Sequence, residues 1–490
     1  MTHPSRRRFL KDSMVATATA LAATTPATTV LSDEKQSKSP NEKLSVAVLG
    51  VRGRGSALAA SFGTRDDCEV TYVCEPDTAI GPNRAEQIGE RQDGRVPKCV
   101  TDMREAFDDP SVDIVVVATP NHWHSLASIW AMQAGKDVYV EKPVSHNVSE
   151  GRRMVQAMEK YKRICQGGTQ YRSVGSNRAA AEYVKSGKLG TLKLAHLCMY
   201  RPRNHMGPAG EYDPPETVDY NLWAGPAPVQ IPVRRRHFHY DWHWLWDYGN
   251  GELGNNSVHL VDTMRLILDL KGLGRRVLSY GARQFDDAGE TPNTQLTIHD
   301  FDGLTVVQEI RNLKTSPPPW RGNMLFEGTE GYIVGTLGSN TVFDPDGNVV
   351  EKLTGPGENH VANFIKAVRS REAHDLSAPI VEGHLSTAVV HVGNISQLLA
   401  RSASPEEITR RLESLEVHGD PVGMYNGICE HLKENDFELE KRRVTFPPLE
   451  LGPWLAIDSD NEVFLDSPEA NALLTRDCRE PFVVPSAEEV

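Results

Sequence analysis

Cysteine, long apolar runs and clustered positive charge are all scarce in this sequence of 490 residues. The seven cysteines, at positions 68, 74, 99, 165, 198, 429 and 478, form no C-x-x-C pair and are odd in number. Such spacing excludes a disulfide framework and a cysteine-ligated zinc site. We interpret them as mostly buried, small apolar side chains.

No segment after residue 43 approaches the roughly 20 consecutive apolar residues that a membrane-spanning helix needs. With 39% apolar and 24% charged residues, the composition is that of a globular chain rather than a disordered or fibrous one. We therefore expect two or three globular domains and no membrane span after removal of any N-terminal signal.

Positive charge is low overall, because the formal net charge is −13. An acidic body without a basic stripe repels phosphate backbones, so we do not expect nucleic acid as a partner. The run Arg234-Arg235-Arg236 is the one local exception, and we interpret it as a solvated loop.

The N-terminus has the pattern of an export signal. Ser5-Arg-Arg-Arg-Phe-Leu-Lys11 precedes a short Ala/Thr-rich apolar segment (14–23), small residues near Ala27 and a polar segment (32–43). The paired arginines before Phe-Leu-Lys resemble a twin-arginine signal. We predict that residues 1–43 are signal peptide and linker and that the protein is periplasmic or otherwise extracytoplasmic; a disordered basic tail is the alternative.

A glycine-rich turn follows the first predicted strand (44–49) and precedes a predicted helix (56–62). Its sequence is Gly50-Val-Arg-Gly-Arg-Gly55. A glycine turn between a strand and a helix is the context of a dinucleotide-binding fingerprint. We expect Gly50, Gly53 and Gly55 to let the backbone approach a pyrophosphate, although Arg52 occupies the place of the second glycine of G-x-G-x-x-G.

Glu75 ends the second predicted strand (69–74), 20 residues after Gly55. A carboxylate at this position accepts hydrogen bonds from the adenosine ribose and repels a 2′-phosphate, which favours NAD over NADP. Arg52 and Arg54 leave NADP as the less favoured alternative, because a guanidinium can hold either the pyrophosphate or an extra phosphate.

Predicted strands at 113–118, 137–140 and 163–166 alternate with predicted helices at 124–134 and 149–161. This alternation is typical of a doubly wound parallel sheet, whose ligands bind beyond the carboxyl ends of the strands. Thr119-Pro-Asn121 and Glu141-Lys-Pro143 follow two of these strands. We predict a Rossmann-type domain over residues 44–168.

The rhythm changes after residue 168. Asp302-Gly303 and Asp346-Gly347 separate paired strand-like segments, which indicates hairpins and a largely antiparallel open sheet. The predicted fold class is therefore α/β, with a C-terminal α+β domain over 169–402. We expect residues 403–490 to wrap the body or a neighbouring subunit, and we find no chemical motif in them.

Four motifs resemble the glucose–fructose oxidoreductase / inositol dehydrogenase / rhizopine-catabolism (Gfo/Idh/MocA) family in order and spacing over about residues 44–402: the glycine turn, Thr119-Pro-Asn-His-Trp-His124, Glu141-Lys-Pro143 and Gly168-Thr-Gln-Tyr-Arg172. The resemblance implies a two-domain NAD-dependent oxidoreductase, with Lys142 between nicotinamide and substrate. The further cofactor contacts that it implies are Thr119, Pro120, Asn121, His124, Glu141 and Gln170.

The resemblance also implies that His259 is the catalytic base. In a helix that starts near Asn255, positions 255, 259 and 262 share a face. Many family members have aspartate where this chain has Asn255, which can hydrogen-bond a hydroxyl or orient the histidine but cannot take a proton. Asp262 could orient the imidazole or form a salt bridge.

A loop rich in aromatic side chains (201–246) precedes this helix. Its Tyr240, Trp242 and His243 suit a sugar ring, although a packed aromatic core is equally consistent with them. We expect these three, with Arg172 and His259, to contact substrate. No H-E-x-x-H pattern is present, so we do not expect a zinc site.

These observations predict hydride transfer between NAD and a secondary hydroxyl of a sugar, glycoside or polyol, in a homo-oligomer. His259 would take the hydroxyl proton, and the charge of Lys142 would stabilise the alkoxide. One alternative is glycoside cleavage through transient oxidation, without net NAD turnover. A second alternative is a nucleotide- or sugar-binding protein without catalysis.

Overall fold

A computed structural model of the protein describes the backbone of residues 43–441 and 449–490 and the side chains outside 436–448. The predicted export signal therefore lies outside the described residues, apart from Lys43. Residues 43–490 form one compact unit. Among the described residues, no helix has the length and apolar content required to cross a bilayer.

The N-terminal half contains a six-stranded sheet in the order β3-β2-β1-β4-β5-β6, with every pair parallel. Its strands are β1 Leu44–Leu49, β2 Cys68–Cys74, β3 Lys98–Val100, β4 Ile114–Val117, β5 Asp137–Val140 and β6 Cys165–Gly167. Central strands such as β4 (IVVV) are entirely buried because helices cover both faces of the sheet. The predicted doubly wound sheet is confirmed.

Five helices belong to this half: α1 Gly53–Gly63, α2 Gly81–Gly89, α3 Arg104–Phe107, α4 Asn121–Gln133 and α5 Val148–Tyr161. Apolar side chains that alternate along β1 pack into two separate cores, one on each face. α4 and α1 both begin at the carboxyl edge of the sheet, so their N-termini lie where a ligand of such a sheet binds.

The second half contains a twelve-stranded sheet in the described residues, and the predicted antiparallel character is confirmed with one exception, the parallel pair β7–β10. The path is β14-β13-β12-β11-β7-β10-β9-β8-β16-β15, with β17 beside β8 and β18 beside β17. The strands are β7 Leu192–Tyr200, β8 Arg276–Ala282, β9 Thr294–Asp300, β10 Thr305–Arg311, β11 Met324–Gly328, β12 Gly331–Gly335, β13 Asn340–Phe343, β14 Val349–Leu353, β15 Arg401–Ser402, β16 Glu450–Leu451, β17 Leu455–Asp458 and β18 Val463–Leu465.

The helices of the second half are α6 Gly175–Lys185, α7 Tyr220–Ala224, α8 Phe238–Asp241, α9 Val258–Leu268, α10 His360–Ser370, α11 Ile380–Leu398, α12 Pro405–Glu413, α13 Pro421–Lys441 and α14 Pro468–Ala472. Apolar side chains of α10 pack into a core of the parallel sheet, and α7 and α8 contribute to a separate apolar cluster. α9 and α11 pack on one face of the twelve-stranded sheet, and apolar side chains of α12 and α13 pack on the other. The C-terminal 88 residues include the 21-residue helix α13 and three strands of the sheet.

Candidate active site

One cavity of about 390 Å³ opens where the carboxyl edge of the parallel sheet faces the start of α9 and the loop 201–246. Eighteen of the side chains and glycines that the sequence predicts as site residues line it: Gly50, Arg52, Gly53, Arg54, Gly55, Glu75, Thr119, Pro120, Asn121, His124, Glu141, Lys142, Gln170, Tyr240, Trp242, His243, Asn255 and His259. The fold therefore brings together residues that are up to 209 positions apart in sequence.

The glycine turn has the geometry of a pyrophosphate-binding turn. Gly50 has φ +75°, and a Cβ there would lie 2.8 Å from the carbonyl oxygen of Ala118. A Cβ on Gly55 would lie 1.7 Å from the carbonyl oxygen of Gly50, whereas one on Gly53 would meet nothing within 4 Å. Side chains are thus excluded where the turn closes on β4, and the first N–H groups of α1 form a site for an anion.

Carboxylates dominate the end of the cavity beyond β2. The Glu75 carboxylate accepts the backbone N–H groups of Val51 (3.2 Å) and Asp77 (3.3 Å), and burial raises its pKa. The Arg52 guanidinium donates to Asp77 (2.5 Å) and to His239 (2.9 Å). Its positive charge is therefore already paired.

At the opposite end of the cavity, Lys142 and Glu141 follow β5. Glu141 accepts a hydrogen bond of 2.7 Å from the Arg54 guanidinium. The Lys142 ammonium donates to the backbone carbonyl of Asn255. Burial lowers the pKa of Lys142, while the negative charge of Glu141 acts in the other direction. The ammonium is thus fixed between the parallel sheet and the start of α9.

His259 reaches the cavity through an irregular helix start. A π-helical turn, Leu253–Ser257, precedes α9 and directs both Asn255 and His259 into the cavity. Asn121 fastens this region to the parallel sheet by donating to the Asn250 side chain (3.0 Å).

Burial, followed by the nearby charges of Lys142 and Arg54, holds the pKa of His259 well below its usual range. Its Nδ1 atom has no hydrogen-bond partner among the described residues. Its ring packs perpendicular to the Tyr171 ring, with 5.0 Å between the ring centroids. A neutral imidazole with an unbonded ring nitrogen has the properties of a general base.

Arg172 and Asp262 do not line the cavity, and we correct both assignments. Both carboxylate oxygens of Asp262 accept from the Arg172 guanidinium at 2.9 Å, and Ser386 donates to the same carboxylate at 2.8 Å. Arg172 also donates to Glu382 (3.1 Å). Of the two expectations for Asp262, the structure shows the salt bridge, and among the described residues the carboxylate is bonded to Arg172 and Ser386 rather than to His259.

Several lining residues escaped prediction: Cys74, Pro76, Thr101, Asp102, Met103, Ala118, Trp123, Trp130, Leu222, Trp223, His239 and Phe482. The aromatic density of the loop 201–246 was the available signal for Trp223 and His239. Trp244 and Trp246 of the same loop do not line the cavity. No local pattern marks Phe482, which comes from the C-terminal segment.

Four buried polar atoms of cavity-lining residues lack hydrogen-bond partners among the described residues: Arg52 Nε, Thr119 Oγ1, Gln170 Oε1 and His259 Nδ1. Buried polar groups are rarely left without a hydrogen bond, because the loss costs about 1–3 kcal/mol. Together with the glycine turn and the carboxylates beyond β2, they fit a polar dinucleotide ligand that runs along the cavity.

A buried cluster of potential metal ligands lies elsewhere, on β7 and β10. It consists of His196, Cys198 and Glu309. Glu309 is bonded to His196 (2.9 Å) and to the Arg311 guanidinium (2.7 Å). These bonds satisfy both carboxylate oxygens, so an internal ion-pair network accounts for the cluster.

Comparison with known proteins agrees with this geometry. The chain is 32% identical over 173 residues to glycosyl hydrolase family 109 protein 2 of Shewanella sp. (strain ANA-3), which is 33% of this chain and 38% of that protein. It is 32% identical over 92 residues to levoglucosan dehydrogenase of Pseudarthrobacter phenanthrenivorans, 19% of this chain and 24% of that one. The chain thus covers well under two thirds of these curated relatives.

Solved structures share the fold over more of the chain. A levoglucosan dehydrogenase in complex with NADH and levoglucosan superposes with a TM-score of 0.52 at 18% identity, over 71% of this chain and 95% of that one. An oxidoreductase of Thermotoga maritima gives a TM-score of 0.54 at 19% identity, over 72% and 96%.

Two sequence models of one oxidoreductase family match successive parts of the chain. Its NAD-binding Rossmann fold matches residues 44–169, and its C-terminal alpha/beta domain matches residues 208–415. Together the two matches cover more than half of the sequence. The chain belongs to the Gfo/Idh/MocA family of oxidoreductases.

Proposed function

We propose that the protein transfers hydride between NAD and a secondary hydroxyl of a sugar, glycoside or polyol. The observation that carries this proposal is His259, a neutral histidine with an unbonded Nδ1, in one cavity with the Lys142 ammonium. A nicotinamide cofactor, when bound, supplies the hydride chemistry.

His259 and Lys142 have complementary tasks, and Asn255 supports one of them. His259 takes the proton of the substrate hydroxyl. Its low pKa keeps the imidazole neutral even at pH values at which an ordinary histidine is protonated. The Lys142 charge stabilises the developing alkoxide. The Asn255 carbonyl holds the ammonium in place.

The aromatic loop supplies the surface for a carbohydrate. Trp242 and His243 stack with ring centroids 3.6 Å apart, and Tyr240 is 53% exposed at the cavity rim. Flat apolar faces with polar edges bind the apolar face and hydroxyls of a sugar ring. The levoglucosan dehydrogenase similarity supports this substrate class.

The carboxylates beyond β2 support NAD rather than NADP. Glu75 lines the cavity at the end of β2, where the adenosine ribose of a Rossmann-bound cofactor would lie, and the buried Asp77 follows two residues later. The nearest guanidinium, that of Arg52, is paired with Asp77. A 2′-phosphate would therefore meet negative charge without a free cation to offset it.

A second candidate is glycoside cleavage through transient oxidation, in which NAD returns to its starting state. Relatives with the name glycosyl hydrolase family 109 favour it. Both candidates use the same cavity and the same base, so they differ in the fate of the oxidised sugar.

The replacement His259→Asn tests the catalytic assignment. We expect the rate of hydride transfer to fall about 10²–10⁴-fold, the usual cost of losing a general base, with little change in NAD affinity. Nicotinamide absorbance and glycoside cleavage are recorded together after addition of a panel of sugars and glycosides. Persistent reduction identifies a dehydrogenase, and cleavage with NAD unchanged identifies the cyclic reaction.

His374→Asn is the matched control, because the His374 side chain is 76% exposed and outside the cavity. If His259→Asn leaves both signals at the level of this control, His259 is not the base.

A further inference from the structure

The C-terminal segment contributes a wall to the cofactor cavity, although neither family match extends beyond residue 415. Phe482 lines the cavity and is only 2% exposed. It packs edge-on against Trp123 (5.4 Å between ring centroids) and at a tilt against Trp130 (6.3 Å), and both tryptophans are cavity-lining residues of α4.

The position of Phe482 along the cavity follows from its neighbours. The Arg104 guanidinium lies 5.8 Å from its ring centroid, and Arg104 comes directly after the lining residue Met103, beyond β3. β3 is the edge strand next to β2, whose end carries Glu75. In the orientation proposed above, with the ribose at Glu75, the adenine points toward β3 and hence toward Phe482.

A second segment closes the same end. The loop before α7 pairs with the chain after β2, where Thr78 donates its N–H to the Thr217 carbonyl (2.8 Å). Leu222 of α7 lines the cavity, and its carbonyl accepts the indole N–H of Trp123 (3.0 Å).

Arg479 links the two segments. It donates to the Asn221 side chain (2.7 Å) and to the Ala227 carbonyl (3.2 Å), and its guanidinium lies 4.8 Å from the Phe482 ring centroid. Nearby, Arg476 fixes the segment to the parallel-sheet half through Glu150 (2.7 Å). The C-terminal segment is thus bonded to both walls that enclose this end of the cavity.

We propose that Phe482 and Leu222 form the adenine-binding wall and that Arg479, a positioning residue, fastens them into a clasp that retains the adenosine half of the dinucleotide. The inference rests on the cofactor orientation of the proposed function. Because Arg479 bonds the C-terminal segment to the region of α7, loss of these bonds should loosen the wall and speed release of the adenosine half.

The test separates the two halves of the cofactor. Binding of ADP-ribose and of nicotinamide mononucleotide, and the release rate of NADH, are measured for the full chain and for Phe482→Ala. Loss of one aromatic contact to a base weakens binding about 10-fold, so we expect ADP-ribose affinity to fall and NADH release to accelerate by about that factor. Nicotinamide mononucleotide affinity is expected to stay unchanged.

Arg479→Ala should accelerate NADH release in the same direction, since it loosens the clasp without touching the cavity. Val483→Ala is the matched control, because Val483 is the next residue and is 41% exposed. If Phe482→Ala lowers the thermal midpoint without ligand, the comparison is made with Phe482→Leu, for which a smaller change in the same direction is expected.

Unchanged ADP-ribose affinity and NADH release would overturn the clasp. An equal loss of nicotinamide mononucleotide affinity would overturn it as well, because a general loosening would then explain the result. None of these measurements requires turnover, so failure of the clasp is distinguishable from failure of the proposed reaction.

Discussion

We propose that Glu75 determines the choice between NAD and NADP. Glu75 is buried, accepts two backbone N–H groups and still faces the cavity. In the proposed cofactor orientation its carboxylate therefore has two tasks, because it supports the turn after β1 and would meet the ribose hydroxyls.

The replacement Glu75→Ala separates these tasks. A hydrogen bond to a charged group contributes about 1.5–3 kcal/mol, so we expect NAD affinity to fall about 10- to 150-fold. NADP affinity should fall less, because the repulsion of its 2′-phosphate is removed at the same time. The ratio of the two dissociation constants, measured by titration, is the informative quantity, since a loosened turn alone would weaken both cofactors equally.

Glu69→Ala is the control for this replacement, because Glu69 lies on the same strand, pairs with Arg95 and does not line the cavity. Tighter binding of NADP than of NAD by the unmodified protein would contradict the assignment.

At the scale of elements, the irregular start of α9 divides the side chains of this region between two tasks. Asn255 and His259 face the cavity, whereas Asp262, one turn further, faces Arg172 and Ser386. A helix wheel places all three on one face, but Asp262 lies beyond the π-helical turn in the regular part of the helix, where its carboxylate is bonded to Arg172 and Ser386.

The replacement Asn255→Asp tests the electrostatic part of this arrangement. The acidic limb of a kcat/KM profile reports protonation of the base, and the pKa of His259 lies below its ordinary value of about 6.5. A carboxylate beside the imidazole favours its charged form and raises its pKa. We therefore expect the acidic limb to move to higher pH, with activity retained at neutral pH.

Asn256→Asp adds the same charge one residue along, where the side chain contacts Glu252 and Arg201 instead of the cavity. An unmoved limb in Asn255→Asp, or an equal shift in this control, would show that position 255 does not act on His259.

Elements with a local signal were predicted well from sequence. The runs 44–49 and 137–140 match β1 and β5 because continuous burial requires continuous apolar sequence. α2 lacks such a signal, because it begins and ends with glycine and most of its other residues are polar. α13 begins at Pro421 and contains two glycines, and its amphipathic contacts form only against the sheet.

Site residues followed the same rule. The motifs after β1, β4 and β5 were found because the turn chemistry is local. Arg172 was misassigned because its partner Asp262 is 90 residues away, and no sequence pattern shows on which side of α9 the pair lies. Phe482 was missed because its role depends on the chain returning to α4 after some 350 residues.

At the scale of the whole molecule, the C-terminal segment contacts elements that come much earlier in the sequence. Glu462 accepts from Arg152 of α5 and from His384 of α11 (2.9 Å); although burial raises its pKa, these hydrogen bonds lower it to about 2. The terminal residue Val490 is buried and accepts from Lys160. These bonds therefore hold the segment that carries Phe482 against α5 and α11.

The wall that Phe482 contributes to the cavity bears on where the cofactor is acquired. We propose that the chain is exported folded through a twin-arginine signal, so that NAD is bound in the cytoplasm beneath the finished C-terminal segment. The double replacement of Arg6 and Arg7 by lysine should then retain the precursor in the cytoplasm, folded and with nicotinamide bound. Fractionation with detection of the chain, together with nicotinamide fluorescence of the purified precursor, measures both points. Arg8→Lys is the matched control. It makes the same arginine-to-lysine replacement at the variable position of the motif, so it should leave export intact. Normal amounts of the double variant outside the cytoplasm would refute the export route, and a retained but empty precursor would refute cofactor loading before export.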